Sequence, residues 1–200
     1  MTAPMCGGGQ TGALGKSGSC LTSTVRARCL PDAILGLDPG VNGGLALLTI
    51  GGGLVAVSAV SALKTEAALV RQLLSYRDIF PQGGVVAYLE KVGYIRGDGG
   101  KGSFTFGKMY GFLRGVLGAL AVPVRDVYPA VWQGRMGCLS RGNKNVTKRM
   151  AESKFPMYRT FSQGNGRGAT PKAITHAIAD ALLIAEYGRR IERLKAGLDK

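Results

Sequence analysis

Ordered hydrophobic patterning begins at Ala33. Ala33-Ile-Leu-Gly-Leu-Asp38 is a short apolar run closed by a carboxylate, and it reads as a buried strand. Pro39-Gly40-Val-Asn-Gly-Gly44 then turns the chain sharply. Leu45 to Ile50 form a second strand, Gly51-Gly52-Gly53 a hairpin turn, and Leu54 to Val60 a third strand. From Thr65 to Tyr76 the period changes. Ala67, Ala68, Leu69, Leu73 and Leu74 recur at helical spacing, with Glu66 in the first turn, where the helix dipole favours an anion. Val85 to Glu90 return to a strand, again closed by a carboxylate.

A loop rich in Gly and Lys runs from Lys91 to about Ser103, and Phe104 to Ala121 then read as a helix. That helix is apolar almost all round, which predicts burial on more than one side. Gly107, Gly111 and Gly115 fall at i, i+4 and i+8 on one face. Each costs about 1 kcal/mol against alanine in a helix, so so smooth a face implies that another backbone comes close. Either the sheet or a helix of a second subunit satisfies that condition. Val122 to Val127 form a fifth strand, and Pro129 opens a short helix through Trp132. Val146 to Phe155 form a helix stopped by Pro156, and after a basic loop a long helix runs from about Ile174 to Leu194. Three strands joined as hairpins, then strands alternating with helices, predict an α/β domain: a mixed five-stranded sheet with helices on both faces.

Two hundred residues give room for one such domain, and 46% hydrophobic against 19% charged residues is a globular composition. The domain is expected over residues 33–200. Residues 1–32 are read as a disordered leader or a targeting extension, because Met1 to Pro31 hold no acidic residue, many Gly, Ser and Thr, and no sustained apolar period. Gly15-Lys16-Ser17 imitates the end of a phosphate loop, but that motif needs Gly five residues before Gly15, where Gln10 stands. Apolar stretches stop well short of the ~18–20 residues of a membrane span, so no membrane partner is expected. Cys6, Cys20, Cys29 and Cys138 form no C-x-x-C pair and no disulfide framework, so the chain is read as intracellular and cytoplasmic. Lys16, Arg26 and Arg28 without any acid leave an organellar transit peptide as the alternative.

Charge changes the picture most. Lys and Arg total 26 against 12 Asp and Glu, a net +14. Between Lys91 and Lys172 there are 15 basic and three acidic residues, Asp98, Asp126 and Glu152. A polyanion is the natural partner of such a surface.

In so basic a chain, the position of each acid carries information. Asp38 and Glu90 close the first and fourth strands, and Asp180 lies one helical turn after His176, the only histidine. If the first and fourth strands are neighbours and the last helix packs across their ends, Asp38, Glu90, His176 and Asp180 converge. Carboxylate oxygens with one imidazole suit Mg²⁺, or Mn²⁺ in its place, better than zinc. Two such ions about 4 Å apart activate water and steady the leaving oxygen of a phosphodiester. An acidic pocket in a basic protein would repel phosphate unless metal neutralised it. The duller readings are a turn aspartate, a solvated strand-end glutamate and a surface His–Asp pair.

Ile34-Leu-Gly-Leu-Asp-Pro-Gly40, Tyr88-Leu-Glu-Lys-Val92 and His176-Ala-Ile-Ala-Asp-Ala-Leu-Leu-Ile-Ala-Glu-Tyr187 resemble the RuvC family of Holliday-junction resolvases. Val127-Tyr-Pro-Ala-Val-Trp132, Lys144 and the Phe155-Pro156 helix end follow in family order, so the resemblance covers roughly residues 33–190. It implies an RNase H-like fold, a homodimer, and Mg²⁺-dependent paired nicking of a four-way DNA junction without a nucleotide cofactor. Asp38, Glu90 and Asp180 occupy the family's metal-binding acidic positions. His176 stands where some members have histidine and others a fourth aspartate. Its four-residue spacing to Asp180, rather than three, is closer to phage and organellar members, and leaves it either a metal ligand or a base positioning water. Lys144 and Lys148 resemble basic residues near the scissile phosphate, and Lys148 would neutralise charge in the transition state. Tyr94 resembles the aromatic that stacks or wedges at the junction centre. Phe104 and Phe106 compete for that role, though they also read as core or dimer contacts. Arg96, Lys101 and Lys108 would bind backbone phosphates.

Three other functions share parts of this pattern. A related nuclease acting on flaps, forks or structured RNA would use the same site, and a non-catalytic junction-binding protein would use only the basic surface. Actin-like and sugar-kinase ATPases also begin with Asp-x-Gly on a strand, but they repeat the unit in two domains, for which the 168 residues from Ala33 to Lys200 are too few.

Overall fold

The computed structural model describes residues 30–81, 84–91, 100–139, 143, 145–158 and 173–199. The elements are β1 (Ala33–Asp38), β2 (Gly44–Thr49), β3 (Leu54–Ala59), α1 (Glu66–Asp78), β4 (Val85–Glu90), α2 (Gly100–Ala119), β5 (Val124–Val127), α3 (Pro129–Met136), α4 (Asn145–Lys154) and α5 (His176–Lys195). The leader, its cysteines and the false phosphate loop lie outside the described residues, apart from Leu30, Pro31 and Asp32 at the leader's end. Among the described residues, no helix is long and apolar enough to cross a membrane.

The sheet runs β3-β2-β1-β4-β5. β1, β2 and β3 pair antiparallel, as the hairpin turns require, and β4 and β5 run parallel to β1. Side-chain alternation on the central strands builds two cores. Leu35, Leu37, Leu45 and Leu47 face Leu69 and Leu73 of α1 and Leu113 and Leu117 of α2. Ile34, Ala46, Leu48 and Tyr88 face Trp132 of α3, Ala151 of α4 and the apolar face of α5. Helices therefore cover both faces of a mixed five-stranded sheet, an α/β RNase H-like architecture.

α5 lies unusually close to the sheet. A Cβ on Gly36 would meet the backbone of Ala181 and Ala185, and one on Gly44 the backbone of Ala177. Glycine in the strands and alanine in the helix let two backbones approach. Thr65 caps α1 through a bond from the Ala68 amide (3.1 Å), and Thr175 caps α5 through one from Ile178 (3.3 Å). Those caps exclude Thr65 and Ile174 from the helices that periodicity predicts.

α2 departs from expectation. It starts four residues earlier, at Gly100, and only Leu113 and Leu117 are fully buried. The helix packs through a single stripe against the sheet, so its apolar composition does not mean burial all round. Phe104 is 74% exposed and is no part of the core. Among the described residues, added Cβ atoms at Gly107, Gly111 and Gly115 would meet nothing within 4 Å, so these glycines do not lie against the sheet.

Candidate active site

Parallel pairing brings two strand ends to one edge. Leu37 is in register with Leu89, so Asp38 and Glu90 follow side by side at the carboxyl edge of β1 and β4. Leu37 and Leu89 face the α1–α2 layer, and strand alternation turns Asp38 and Glu90 toward α5. Such an edge is where open α/β sheets bind ligands. The close seating of α5 on Gly36 and Gly44 brings Asp180 to the same place, beside Ala181.

Glu90 is buried, not solvated. Its Oε1 accepts a 2.9 Å hydrogen bond from the indole nitrogen of Trp132, itself fully buried. Burial holds the Glu90 carboxyl well above the usual carboxylate range. The charge of Asp38 adds to that rise, the Trp132 bond opposes it, and the charge of Asp180 and a hydrogen bond with Asp38 raise it further. Carboxylates from β1 and α5 thus both act on the one at the end of β4. Asp180 also acts on the buried Cys138; burial first, then the Asp180 charge, pushes that thiol up to about 11.

His176 stands exposed on the first turn of α5. The charges acting on Glu90 are those of Asp38 and Asp180, and the structure does not bring His176 into hydrogen-bond contact with Glu90. Lys148 is half-buried on α4, which packs against α5. Lys108 lies on α2 in an exposed 3.7 Å ion pair with Glu66. Lys101 belongs to the first turn of α2, but its side chain, like Tyr94, Arg96 and Lys144, lies outside the described residues.

Sequence reasoning passed over Trp132 as a functional residue. Its signal was the only tryptophan in the chain, three residues into a proline-started helix directly after β5. Lys91, immediately after Glu90, likewise receives no role of its own from the sequence pattern. Its ammonium lies 3.7 Å from Asp126 and 6.0 Å from the centre of the Tyr128 ring.

An all-oxygen set of three carboxylates is the donor chemistry of a hard divalent cation. Among the described residues, however, no three His, Cys, Asp or Glu side chains are drawn together tightly enough to hold a metal as they stand.

No protein-family model and no curated protein matches the chain. Solved structures do. Thermus thermophilus RuvC in complex with a Holliday junction substrate superposes with a TM-score of 0.55 at 18% identity, over 84% of this chain and 98% of that one. A second T. thermophilus RuvC structure gives 0.53 at 19%, with the same coverage. The yeast mitochondrial Holliday junction resolvase gives 0.53 at 14%, over 85% of each chain. The chain has the RuvC fold. The RNase H-like architecture expected from the motifs is therefore found by independent comparison of shape.

Proposed function

We propose that this protein is a structure-selective endonuclease that resolves four-way DNA junctions, with Asp38, Glu90 and Asp180 as its metal-binding acids. The observation that supports the reading is that Asp38 and Asp180 both act on the buried Glu90 carboxyl at the carboxyl edge of a RuvC-like sheet, in a chain of net +14. Acids buried beside a polyanion-binding surface are unfavourable unless a cation joins them. Mg²⁺ or Mn²⁺, two ions in the family's manner, would supply Lewis acidity and an activated water.

The chain's own residues set up the rest. Trp132 fixes the orientation of Glu90 through its indole N–H, and the close packing of α5 at Gly36 holds Asp180 near Glu90. Lys148 offsets charge on the phosphate. His176, exposed on the first turn of α5, serves as a further ligand or holds the attacking water. Basic residues around the site bind phosphates on either side without reading sequence.

Two symmetric cuts require two sites related by a twofold axis, which calls for a homodimer. The open glycine face of α2 supports that assembly, since it offers a surface on which a second helix can lie closely. A panel of immobile four-way junctions, forks, flaps and RNA hairpins, with Mg²⁺ present, tests the reading. Paired symmetric nicks in the junction, exceeding cleavage of the other substrates, are expected. Preferential cutting of flaps or RNA would assign the site to another substrate class, and binding without cutting would remove the catalytic roles.

A further inference from the structure

An exposed aromatic stands at the same sheet edge as the carboxylates, with no structural task. Tyr128 follows β5 directly, and its neighbour Val127 is in register with Glu90. The Lys91 amide donates to the Val127 carbonyl (2.9 Å), which ties the residue after Glu90 to the residue before Tyr128. Strand alternation sends Lys91 and Tyr128 to the face opposite Glu90, so the pair lies across the strand ends from the carboxylates. Tyr128 is 51% exposed, although a tyrosine ring gains more than most side chains from burial.

Neither end of the side chain is used by the fold. Tyr128 is the residue before the first turn of α3, where Ser, Thr, Asp or Asn would cap the helix, yet its side chain makes no cap bond. Among the described residues its hydroxyl has no hydrogen-bond partner, in contrast to Tyr76, Tyr88 and Tyr110, whose hydroxyls meet Ser58, Glu192 and Asp126. The Lys91 ammonium lies 6.0 Å from the centre of its ring. That ammonium is only loosely held. Asp126 already accepts at 2.6 Å from Arg114 and at 2.8 Å from Tyr110, and Lys91 remains at 3.7 Å with 43% of its side chain exposed.

We propose that Tyr128 and Lys91 form a platform for one nucleotide flanking the phosphate that is cut: the base stacks on the Tyr128 ring and Lys91 takes the adjoining phosphate. A base has to leave its stack to reach the ring, so the platform favours strands opened at a branch point over continuous duplex. Stacking tolerates any base, because every base has a π-face, and so the platform adds affinity for branched substrate without a sequence preference. The inference rests on the nuclease reading for its substrate and deepens it. Tyr128 is a substrate-positioning residue and takes no part in bond breaking.

The test uses the full chain and a four-way DNA junction carrying 2-aminopurine at the branch. Affinity, probe fluorescence, KM and kcat are measured for wild type, Tyr128→Phe, Tyr128→Leu and Lys91→Ala. Tyr128→Leu is expected to bind about tenfold more weakly and to lose the fluorescence change of stacking, with the loss falling on KM more than on kcat. Tyr128→Phe keeps the ring and should restore both. Lys91→Ala should lower the slope of log affinity against log salt by about one. Equal behaviour of Tyr128→Leu and wild type overturns the proposal, as does a Phe variant as weak as the Leu variant. Binding and fluorescence need no cleavage. A wild type that binds without cutting would thus refute the nuclease reading separately, while the Leu and Phe variants still decide the platform.

Discussion

Replacing Gly36 with alanine puts a methyl group where the backbone of α5 already lies. The new Cβ would press on the Ala181 carbonyl oxygen, stand 2.5 Å from the Ala185 amide nitrogen and 2.8 Å from its Cβ. Two of those three atoms are backbone and cannot rotate aside. To restore ordinary contact, α5 has to retreat by about 1 Å. Overpacking of this kind costs about 1–3 kcal/mol, and rigid neighbours put Gly36→Ala at the upper end. For a domain of this size, each kcal/mol lowers Tm by about 2–4 °C, so a fall of about 6–12 °C is expected. Because Asp180 precedes Ala181 on the displaced helix, junction cleavage should fall further than stability alone explains. A misplacement of about 1 Å can cost on the order of 10²-fold in rate. Thermal melting, with cleavage at a temperature where the variant is fully folded, separates the two effects. Gly51→Ala is the control, since its nearest neighbour, the Thr49 hydroxyl, stands at 3.7 Å. If Gly36→Ala melts and cuts like Gly51→Ala, the seating of α5 on the sheet does not set the site.

Three shorter predictions follow from the same contacts. Trp132→Phe removes the donor to Glu90, a bond to a carboxyl worth about 1.5–3 kcal/mol; single-turnover cleavage should fall at least tenfold while gel-shift affinity holds, and unchanged cleavage would deny Trp132 its orienting role. Glu186 is buried, which alone would raise its pKa, but hydrogen bonds and charge from Arg189 and Arg190 outweigh this and lower it. Its folded pKa then lies below the unfolded one, so its stabilisation is complete above about pH 4.3 and is lost as pH falls through the folded value. The stability gap between wild type and Glu186→Gln should therefore be constant near neutrality and close on acidification; a gap independent of pH down to 3 contradicts the ion-pair account. Gly111→Leu should leave the monomer's fold intact, because the position is open, while lowering the mass seen by light scattering toward the monomer; unchanged assembly would place the interface elsewhere.

The strands and the places of Asp38, Glu90 and Asp180 along the chain were legible because each rests on a local signal, whereas the neighbourhood of β1 and β4 was only a condition of the reading, which the sheet meets. A strand closed by an acid announces itself in six residues, as at Asp38 and Glu90, and the spacing of the final helix places Asp180 on one face. Contacts between distant segments leave no such trace. Tyr88 and Glu192 lie 104 residues apart, yet the tyrosine donates to the buried carboxylate at 2.6 Å, where Arg125 and Lys195 also converge. Nothing in either local sequence marks that pairing. Trp132 likewise reads as core until the structure shows where its N–H points. The α2 helix was misread for another reason: composition reports how apolar a helix is, but not which side meets the sheet. Its open glycines and exposed Phe104 form an apolar surface that nothing among the described residues covers.

The most direct test of the central claim is cleavage of an immobile four-way DNA junction by wild type and Asp38→Asn, with Mg²⁺, Mn²⁺ or EDTA and with gel-shift binding on the same samples. Paired symmetric nicks that require the metal and disappear in Asp38→Asn, while that variant still binds the junction, are the predicted result. Cleavage that survives in Asp38→Asn or in EDTA would contradict the claim that these carboxylates form a metal-dependent nuclease site.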